Sequence, residues 1–248
     1  MLFRSAALDA SFNVFFPQGE YKITASLNLA NNHNLQGEWS SDRGTRIFAS
    51  ACTAFNVVAK NTCIDGFRIY QDDGYYAFFY DAPTGETSSF NNLNNNNYVV
   101  NGGAFELASF SRSVITNFNS AELKQGIYLS GGVVINNAIS DSLFQGRGNP
   151  ALNVTGEFAV KVDIGSGGNK EGVNFTNVKF VSFYDGLINN NLSYSTFESC
   201  IFDYINNSGY TNSGFNINVT FSNCYFGQQA YSAFPVVNGY SEIGRAHV

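Results

Sequence analysis

Histidine, cysteine and charged residues are all scarce in this chain. Its 248 residues include two histidines and four cysteines, and charged residues make up 13%. No two cysteines form a CxxC pair, so the spacing typical of zinc ligands is missing. His33 has no nucleophile motif near it that would indicate a Ser-His-Asp or Cys-His mechanism. We therefore expect no metal and no cofactor.

Long apolar runs and basic clusters are also missing. No segment reaches the roughly 18 apolar residues that a membrane helix needs, and the opening MLFRSAALDA lacks the apolar centre of a signal peptide. The formal net charge is −6. These features predict a protein without membrane insertion and without a nucleic-acid partner.

Asparagine, glycine and phenylalanine are abundant instead. The chain contains 33 Asn, 24 Gly and 24 Phe. Asn and Gly tolerate the left-handed backbone of tight turns, whereas Phe, Tyr, Val and Ile favour strands. This balance predicts an all-β protein made of many short strands joined by tight turns.

A short pattern recurs along the chain and indicates a solenoid. It reads large apolar, any residue, Asn/Asp/Ser, small, any residue, large apolar, and it is clearest at 139–144, 175–180, 197–202 and 221–226. Copies that start at 115, 139, 175, 197 and 221 are 24, 36, 22 and 24 residues apart. This period fits coils of three strands. The interval of 36 predicts a loop or an extra short strand (EFAVKVD) between residues 156 and 170.

Stacked coils would place equivalent residues in columns. The first and last large residues of each copy should face inward, and the third position should form a turn. The residues at that turn position are Asn117, Asp141, Asn177, Ser199 and Asn223. Stacked about 4.8 Å apart, such side chains can hydrogen-bond to one another and to the backbone. Cys200 would lie directly below Cys224, either as two buried thiols or as a disulfide.

Each coil should also contain a strand that a small residue opens. The matching segments are GIYL at 126, ALNV at 151, GLIN at 186 and GFNI at 214. The last seven residues, EIGRAHV, are what a common sequencing adapter encodes when translated. We therefore expect one domain over residues 1–241, truncated at its C-terminus, and exclude residues 242–248 from it.

Residues 6–49 resemble the opening of the pectate-lyase-like superfamily. In that family a short capping helix precedes a V-x-F-P-x-G-x-Y strand, an I-x-x-x-L-x-L strand, an N-x-x-L-x-G-E/D segment and a T-x-I strand. The matching residues here are Val14, Phe16, Pro17, Gly19 and Tyr21, then Ile23, Leu27 and Leu29, then residues 34–38 and 45–47. With the later coils, the resemblance covers nearly all of residues 6–230.

This resemblance implies a single-stranded right-handed parallel β-helix with a capping helix in residues 1–12. The family includes pectate and pectin lyases, polygalacturonases, rhamnogalacturonases and bacteriophage tailspikes, so it also implies a polysaccharide partner. Its groove lies on the first strand of each coil and on the loop leading into that strand. The fold alone does not decide among these functions.

Five carboxylates occupy such groove positions and are the candidate catalytic residues: Asp72, Asp73, Glu122, Asp185 and Asp203. Glycosidases use two carboxylates about 5 to 9.5 Å apart. Asp185 opens a segment that looks like the Asp-Gly-Ile of polygalacturonases. The other polygalacturonase motifs and the calcium-binding acids of pectate lyases are missing. An ordinary turn role stays open for every one of these acids.

Aromatic residues near the same edge are the candidate substrate-binding residues, because aromatic rings stack on sugar rings. They are Tyr75, Tyr76, Tyr184, Tyr204 and Tyr210. Part of the 75–80 run must be core, since strand alternation buries half of it.

Three functions fit these features. The first is a tailspike-like β-helix that recognises a polysaccharide and cleaves it as a glycoside hydrolase or lyase, in a virion tail or outside the cell. The second is a glycan-binding or adhesive solenoid without catalysis. The third is a secreted pectinolytic enzyme, against which the missing motifs count. In the tailspike case we expect a homotrimer, held partly by regions absent from this sequence.

Overall fold

The protein is a parallel β-solenoid in the computed structural model. The described residues are 13–30, 33–39, 44–58, 61–81, 91–93, 98–131, 133–147, 155–163, 170–214, 217–227 and 237–238. Within these ranges no residue is helical, and accordingly none of them forms a helix able to cross a membrane. The capping helix predicted for residues 1–12 lies outside the described residues, as do ALNV at 151 and the segment 242–248.

Three columns of parallel strands wind along the solenoid. The first column consists of β1 (Asn13–Phe16), β4 (Asn34–Gly37), β7 (Thr62–Asp65), β10 (Asn91–Leu93), β13 (Val114–Thr116), the middle of β16 (Val134–Gln145), the middle of β18 (Lys170–Val181), β21 (Ser195–Glu198) and β24 (Val219–Ser222). It carries the first half of the recurring pattern.

The second column follows each strand of the first after a short turn. It consists of β2 (Gly19–Ile23), β5 (Thr45–Ala49), β8 (Phe67–Gln71), β11 (Tyr98–Val100), β14 (Asn119–Ala121), the ends of β16 and β18, β22 (Ile201–Asp203) and β25 (Tyr225–Phe226). The four N-terminal segments quoted for the resemblance coincide with five strands: residues 14–21 cover β1 and β2, residues 23–29 end in the third-column strand β3, and residues 34–38 and 45–47 coincide with β4 and β5.

The third column forms a separate side of the solenoid, in a sheet of its own. It consists of β3 (Leu27–Leu29), β6 (Phe55–Val57), β9 (Tyr76–Asp81), β12 (Gly103–Ser111), β15 (Gln125–Leu129), β17 (Phe158–Val162), β19 (Asp185–Asn189), β23 (Ser208–Asn212) and β26 (Val237–Asn238). A short fourth column joins the end of β12, the starts of β16 and β18, and β20 (Leu192–Ser193).

The recurring pattern has the predicted register. Ile115, Ile139, Phe175, Phe197 and Phe221 are consecutive partners in the first column. The rings of Phe175 and Phe197 stack with centroids 4.4 Å apart, and those of Phe197 and Phe221 lie 4.9 Å apart. These side chains are buried and form the centre of one continuous core. The apolar columns therefore hold the coils together, as the period predicts.

The predicted turn column is left-handed throughout. Its members have φ values of 52° at Asn117, 50° at Asp141, 54° at Asn177, 53° at Ser199 and 52° at Asn223. Asn177 Nδ2 donates to Asp141 Oδ1 at 2.9 Å, and Asn223 Nδ2 donates to Ser199 Oγ at 3.2 Å. Short polar side chains tolerate this backbone and satisfy one another between coils.

Cys200 and Cys224 occupy equivalent positions in successive coils, and both carry free thiols. Cys200 Sγ donates to the Phe175 carbonyl at 3.5 Å, and Cys224 Sγ donates to the Phe197 carbonyl at 3.2 Å. Each thiol therefore bonds to the backbone of the coil below. Of the two alternatives, the structure contains the buried thiols.

One strand assignment was wrong. The small-residue rule placed the strand of the eighth level at GFNI from residue 214, whereas β23 occupies Ser208–Asn212 and Gly214 follows it. Pairing decides this position, because Asp185 pairs with Ser208 and Leu187 pairs with Tyr210. EFAVKVD, predicted as a loop or an extra strand, contributes β17, which is a regular member of the third column.

Candidate functional site

The three outer faces of the solenoid differ in chemistry. The first-column face is polar, with Thr116, Ser140, Thr176, Glu198 and Ser222 in one row. The second-column face carries the stacked rings of Phe48 and Tyr70, the Arg68 guanidinium 4.8 Å from the centroid of the Tyr98 ring, and the ion pair of Arg46 with Glu20. The third-column face gathers a lysine and acidic groups around a stacked pair of tyrosines. It also adjoins the turns that carry the predicted acids, so this face is the candidate site.

We define the third-column face by outward residues of β9, β12, β15, β17 and β19 together with Asp163. They are Tyr76, Phe79, Asp81, Glu106, Gln125, Tyr128, Phe158, Lys161, Asp163, Asp185 and Ile188. Glu106, Tyr128 and Lys161 are partners in successive strands and so form one row. Asp163 follows β17 directly, two residues beyond Lys161.

Three aromatic rings form a ridge on this face, of which Tyr76 and Tyr128 are half-buried and Phe158 is buried. The rings of Tyr76 and Tyr128 are stacked, with centroids 6.2 Å apart and an interplanar angle of 26°. Phe158 meets Tyr128 edge to face at 6.0 Å. The Tyr76 ring extends over the neighbouring coil to reach the Tyr128 ring, because Gly103 in the strand between the two tyrosines has no side chain. A Cβ at Gly103 would overlap the Tyr76 ring. A glycine in β12 thus creates the room for the ridge.

The charged groups surround the Tyr128 ring. Its hydroxyl donates to Asp163 Oδ2 at 2.5 Å, and Lys161 Nζ lies 5.1 Å from the ring centroid. Burial, the hydrogen bond to Asp163 and the charges of Asp163 and Glu106 raise the pKa of Tyr128 to about 12. The pKa of Tyr76 is raised by burial and by Glu106 and Tyr128. Both phenols therefore remain neutral hydrogen-bonding groups at physiological pH.

The predicted carboxylates lie along the turn edge, which we define as the turns joining the second column to the third. Asp72 Oδ2 accepts hydrogen bonds from Ser50 Oγ and from the Ala51 backbone N–H, both at 3.0 Å. Ala51 has a left-handed φ of 53°. Asp72 thus caps the turn of the preceding coil, and a structural contact accounts for its position.

The other four acids are spread along this edge. Asp73 forms an ion pair with Lys124, and Asp203 Oδ1 accepts from the Tyr204 backbone N–H at 3.0 Å. Glu122 is exposed in a left-handed turn with φ 59°. Asp185 accepts from Asn207 Nδ2 at 2.7 Å, and burial raises the pKa of its carboxyl group.

Their spacing decides which of them could act together. Asp72 precedes β9 and Asp185 opens β19, four strand levels farther on, which is about 19 Å. That exceeds the separation of about 9.5 Å that a glycosidase pair allows. Asp185 and Asp203 are in successive levels. Asp185 therefore stays the strongest of the five as a proton donor, since its pKa is already raised.

The predicted tyrosines divide into surface and core. Tyr75 is 39% exposed and Tyr204 is 46% exposed, whereas Tyr76 and Tyr184 are half-buried. Tyr210 was wrongly assigned to a loop. It is fully buried in β23, where its ring packs edge to face on Phe221 at 5.1 Å and its hydroxyl accepts from Asn189 Nδ2. A sugar cannot reach it, so Tyr210 is a core residue.

The sequence prediction missed Glu106, Tyr128, Lys161 and Asp163. The predicted residues were chosen from the turn that leads into each strand and not from the strand itself. A signal was present: in GAFE, QGIY, FAVK and DGLI the fourth residue always lies on the third-column face. Aligning the repeats on this position would have found the row. Among the described residues, no group of His, Cys, Asp or Glu side chains could hold a metal ion.

Comparison with known proteins gives the following. No family model matches the chain, and no curated protein matches it. Similar solved structures include ORF18 of Geobacillus virus E2, with 16% identity, a TM-score of 0.49, and coverage of 91% of this chain and 51% of that one. This chain thus spans about half the length of the viral protein.

Two further structures are more distant. The catalytic domain of a GH87 alpha-1,3-glucanase in complex with tetrasaccharides has 12% identity and a TM-score of 0.30, with coverage of 96% of this chain and 65% of that one. Full-length tailspike protein 2 from Escherichia coli O157:H7 bacteriophage CAB120 has 10% identity and a TM-score of 0.28, with coverage of 88% and 39%.

Proposed function

We propose that this chain is a polysaccharide-recognising β-helix of the pectate-lyase-like superfamily, tailspike-like in type, and that it binds its glycan along the third-column face. The observation that carries the proposal is the stacked pair of Tyr76 and Tyr128, half-buried on an outer face beside Glu106 and Lys161. Aromatic rings on an outer face with hydrogen-bonding groups beside them can hold sugars, because a ring covers the apolar face of a pyranose while polar groups bind its hydroxyls.

The turn edge extends this surface. Tyr75, Tyr184 and Tyr204 lie at the entrance to β9, β19 and β23, beside the third-column face. Successive coils repeat at about 4.8 Å, so a glycan running parallel to the solenoid axis would meet a ring at several levels. Tyr75 and Tyr204 have enough exposure for such contacts.

Two versions of this function remain open. The glycan-binding solenoid without catalysis is favoured by the turn-edge acids, since Asp72, Asp73 and Asp203 are already engaged in structural contacts. The cleaving version requires a carboxylate pair elsewhere or at Asp185. In either version we propose a place in a virion tail or outside the cell, where such glycans occur, and a homotrimer as the assembled form.

Affinity electrophoresis tests the binding proposal. The protein is run through gels that contain dextran, mannan, galactan, xylan, polygalacturonate, alginate or hyaluronan. At least one polysaccharide should retard the wild-type protein, and Tyr76→Ala and Tyr128→Ala should each lose about tenfold or more in affinity, if stacking of a sugar ring resembles that of a nucleobase, which contributes about 1–3 kcal/mol. Tyr225→Ala is the matched control, because Tyr225 is 55% exposed on the second-column face. If Tyr225→Ala weakened binding as much as Tyr128→Ala, the third-column face would not be the binding surface.

A further inference from the structure

We propose that the second-column face carries a second binding site, built around Arg46 and Arg68, for a phosphate monoester carried by a glycan. The site lies on β5 and β8, on a different side of the solenoid from the third-column face, and does not depend on the binding proposed there. Two arginines in register, a stacked aromatic pair beside them and a local surplus of positive charge support the proposal.

The two arginines repel each other across adjacent strands. Arg46 and Arg68 are register partners, so their Cα atoms lie about 4.8 Å apart, and like charges in such positions destabilise a sheet. Glu20 Oε1 lies 3.3 Å from Arg46 Nη1, but an ion pair this exposed contributes little. In the described part of the chain no carboxylate pairs with Arg68. An anion between the two guanidinium groups would remove their repulsion.

The arginine side chains are already restrained for such a contact. The guanidinium carbon of Arg68 lies over the Tyr98 ring, 4.8 Å from its centroid. The Nε atoms of Arg46 and Arg68 are buried and have no hydrogen-bond partner among the described residues. The stems therefore lie against the face, and a ligand would meet the terminal nitrogens. A side chain that is restrained before binding loses less entropy when the ligand arrives.

The number of donors and the local charge favour phosphate over carboxylate. One guanidinium can satisfy both oxygens of a carboxylate, whereas a phosphate monoester presents three acceptor oxygens and can bond to two guanidinium groups. The charged outward residues of β2, β5 and β8 are Glu20, Lys22, Arg46 and Arg68. Three cations against one carboxylate leave two positive charges. This surplus matches the charge of about −1.5 to −2 that a phosphate monoester carries at pH 7.

The rings beside the arginines can hold the sugar that carries the phosphate. Phe48 and Tyr70 follow Arg46 and Arg68 by two residues, and their rings stack with centroids 4.5 Å apart at an interplanar angle of 3°. Both side chains are half-buried, so they form a flat patch about 6.6 Å along the strands from the arginines. A pyranose lying on this patch would bring a phosphate on one of its hydroxyls to the guanidinium groups.

The basic residues cover a short stretch, which favours a single phosphate over a nucleic-acid backbone. In the row that contains Arg68, the partners on the following strands are Tyr98, Asn119, Leu143, Lys179, Ile201 and Tyr225. Lys179 is the one cation among these six, four strand spacings or about 19 Å beyond Arg68. A polynucleotide carries a charge on every phosphate and needs a longer basic track, and the formal net charge of −6 opposes a long polyanion.

Matched dextrans test the site. Affinity gels contain dextran, carboxymethyl-dextran, dextran sulfate or dextran phosphate in a buffer without phosphate, and the readout is the affinity for each derivative divided by the affinity for dextran. This ratio should exceed about ten for dextran phosphate and fall to near one in Arg46→Gln and in Arg68→Gln. Lys179→Gln is the matched control, because Lys179 is exposed on the same face, and it should keep the wild-type ratio. Tyr128→Ala, on the third-column face, should also keep it.

Protonation of the ligand supplies a second readout. A phosphate monoester takes up a proton near pH 6, whereas a sulfate ester does not. The ratio for dextran phosphate should therefore fall several-fold from pH 7.5 to pH 5.5, and the ratio for dextran sulfate should stay constant. The carboxyl groups near the site are Glu20 and, at the end of β7, Asp65. Titration of either would change the binding of sulfate and phosphate alike, so the sulfate gel separates the two causes.

The outcomes separate this inference from the proposed function. Equal affinity for dextran phosphate and dextran, or a ratio that Arg68→Gln leaves unchanged, overturns the inference and leaves the proposed function intact. Preference for carboxymethyl-dextran also overturns it, as does displacement of dextran phosphate by oligo(dT) at equal phosphate concentration. Self-association that Arg68→Gln abolishes, without phosphate binding, would assign this face to a second copy of the chain instead.

Two further measurements complete the test. Absence of binding to every neutral polysaccharide contradicts the proposed function and leaves the phosphate site standing. Melting temperatures of the arginine variants within a few degrees of wild type exclude loss of the fold as the cause of lost binding.

Discussion

Truncation of Phe197 should remove a large share of the stability of the solenoid. Its side chain is fully buried, and its ring lies 4.4 Å from that of Phe175, 4.9 Å from that of Phe221 and 6.1 Å from that of Phe202. Core Phe→Ala substitutions cost about 3–5 kcal/mol. Collapse of the cavity is opposed by the strand ladders, which hold successive coils at about 4.8 Å. We therefore expect Phe197→Ala to lie near the middle of that range, about 4 kcal/mol.

Urea denaturation followed by far-ultraviolet circular dichroism measures this loss as a lower midpoint with an unchanged slope. Phe15→Ala is the matched control, since Phe15 is 59% exposed and should change the free energy of unfolding by less than about 0.5 kcal/mol. Phe197→Leu, which leaves a smaller cavity, should fall between the two. A loss below about 1.5 kcal/mol for Phe197→Ala, or one equal to that of Phe15→Ala, would refute a core built from stacked columns.

Three further predictions follow from buried or strained positions. Asn177→Val should destabilise the protein by about 2 kcal/mol and Asn177→Gly by less, because Asn177 has a left-handed φ of 54°; equal losses in urea denaturation would contradict this. Lys170→Met should stabilise it by about 1–3 kcal/mol at pH 7, because the buried ammonium occupies a column whose neighbours are Val134 and Leu192; a lower urea midpoint would show that the attraction of Asp163 outweighs the cost of burying the ammonium. Folding raises the pKa of Asp185 above 3.8, so its contribution to stability is complete below that pH and is lost as the pH rises through the raised value. The advantage of Asp185→Asn in free energy of unfolding should therefore grow from pH 4 toward pH 7, and a difference independent of pH would refute the shift.

Much of the fold was predictable because solenoid contacts repeat locally. A residue of the core column needs only the matching residue of the next coil, so the spacing of Phe175, Phe197 and Phe221 was enough to predict their stacking. The turn residues followed from the same register, since the left-handed position in each coil carries Asn, Asp or Ser. The four N-terminal segments that carry the resemblance coincide with β1–β5.

The third column was harder to predict, because its opening residues vary. Gly214 matched the small-residue rule as well as Gly209 did, and choosing it put Tyr210 in a loop instead of in the core. Strand pairing with β19 removes this ambiguity. Pairing depends on two segments of the chain together, so the sequence of one segment alone could not predict it.

The sequence alone determined the period of the coils, the columns of core residues and the left-handed turns. It also determined the turn edge, which carries most of the predicted site residues. Tertiary structure decided which acids are already engaged, since the partners of Asp72 and Asp73 are in other coils, 22 and 51 residues away in sequence. It also decided that Tyr76, Glu106, Tyr128 and Asp163 meet on one face. These residues come from four different coils, and winding the chain is what reduces their separations to a few strand spacings.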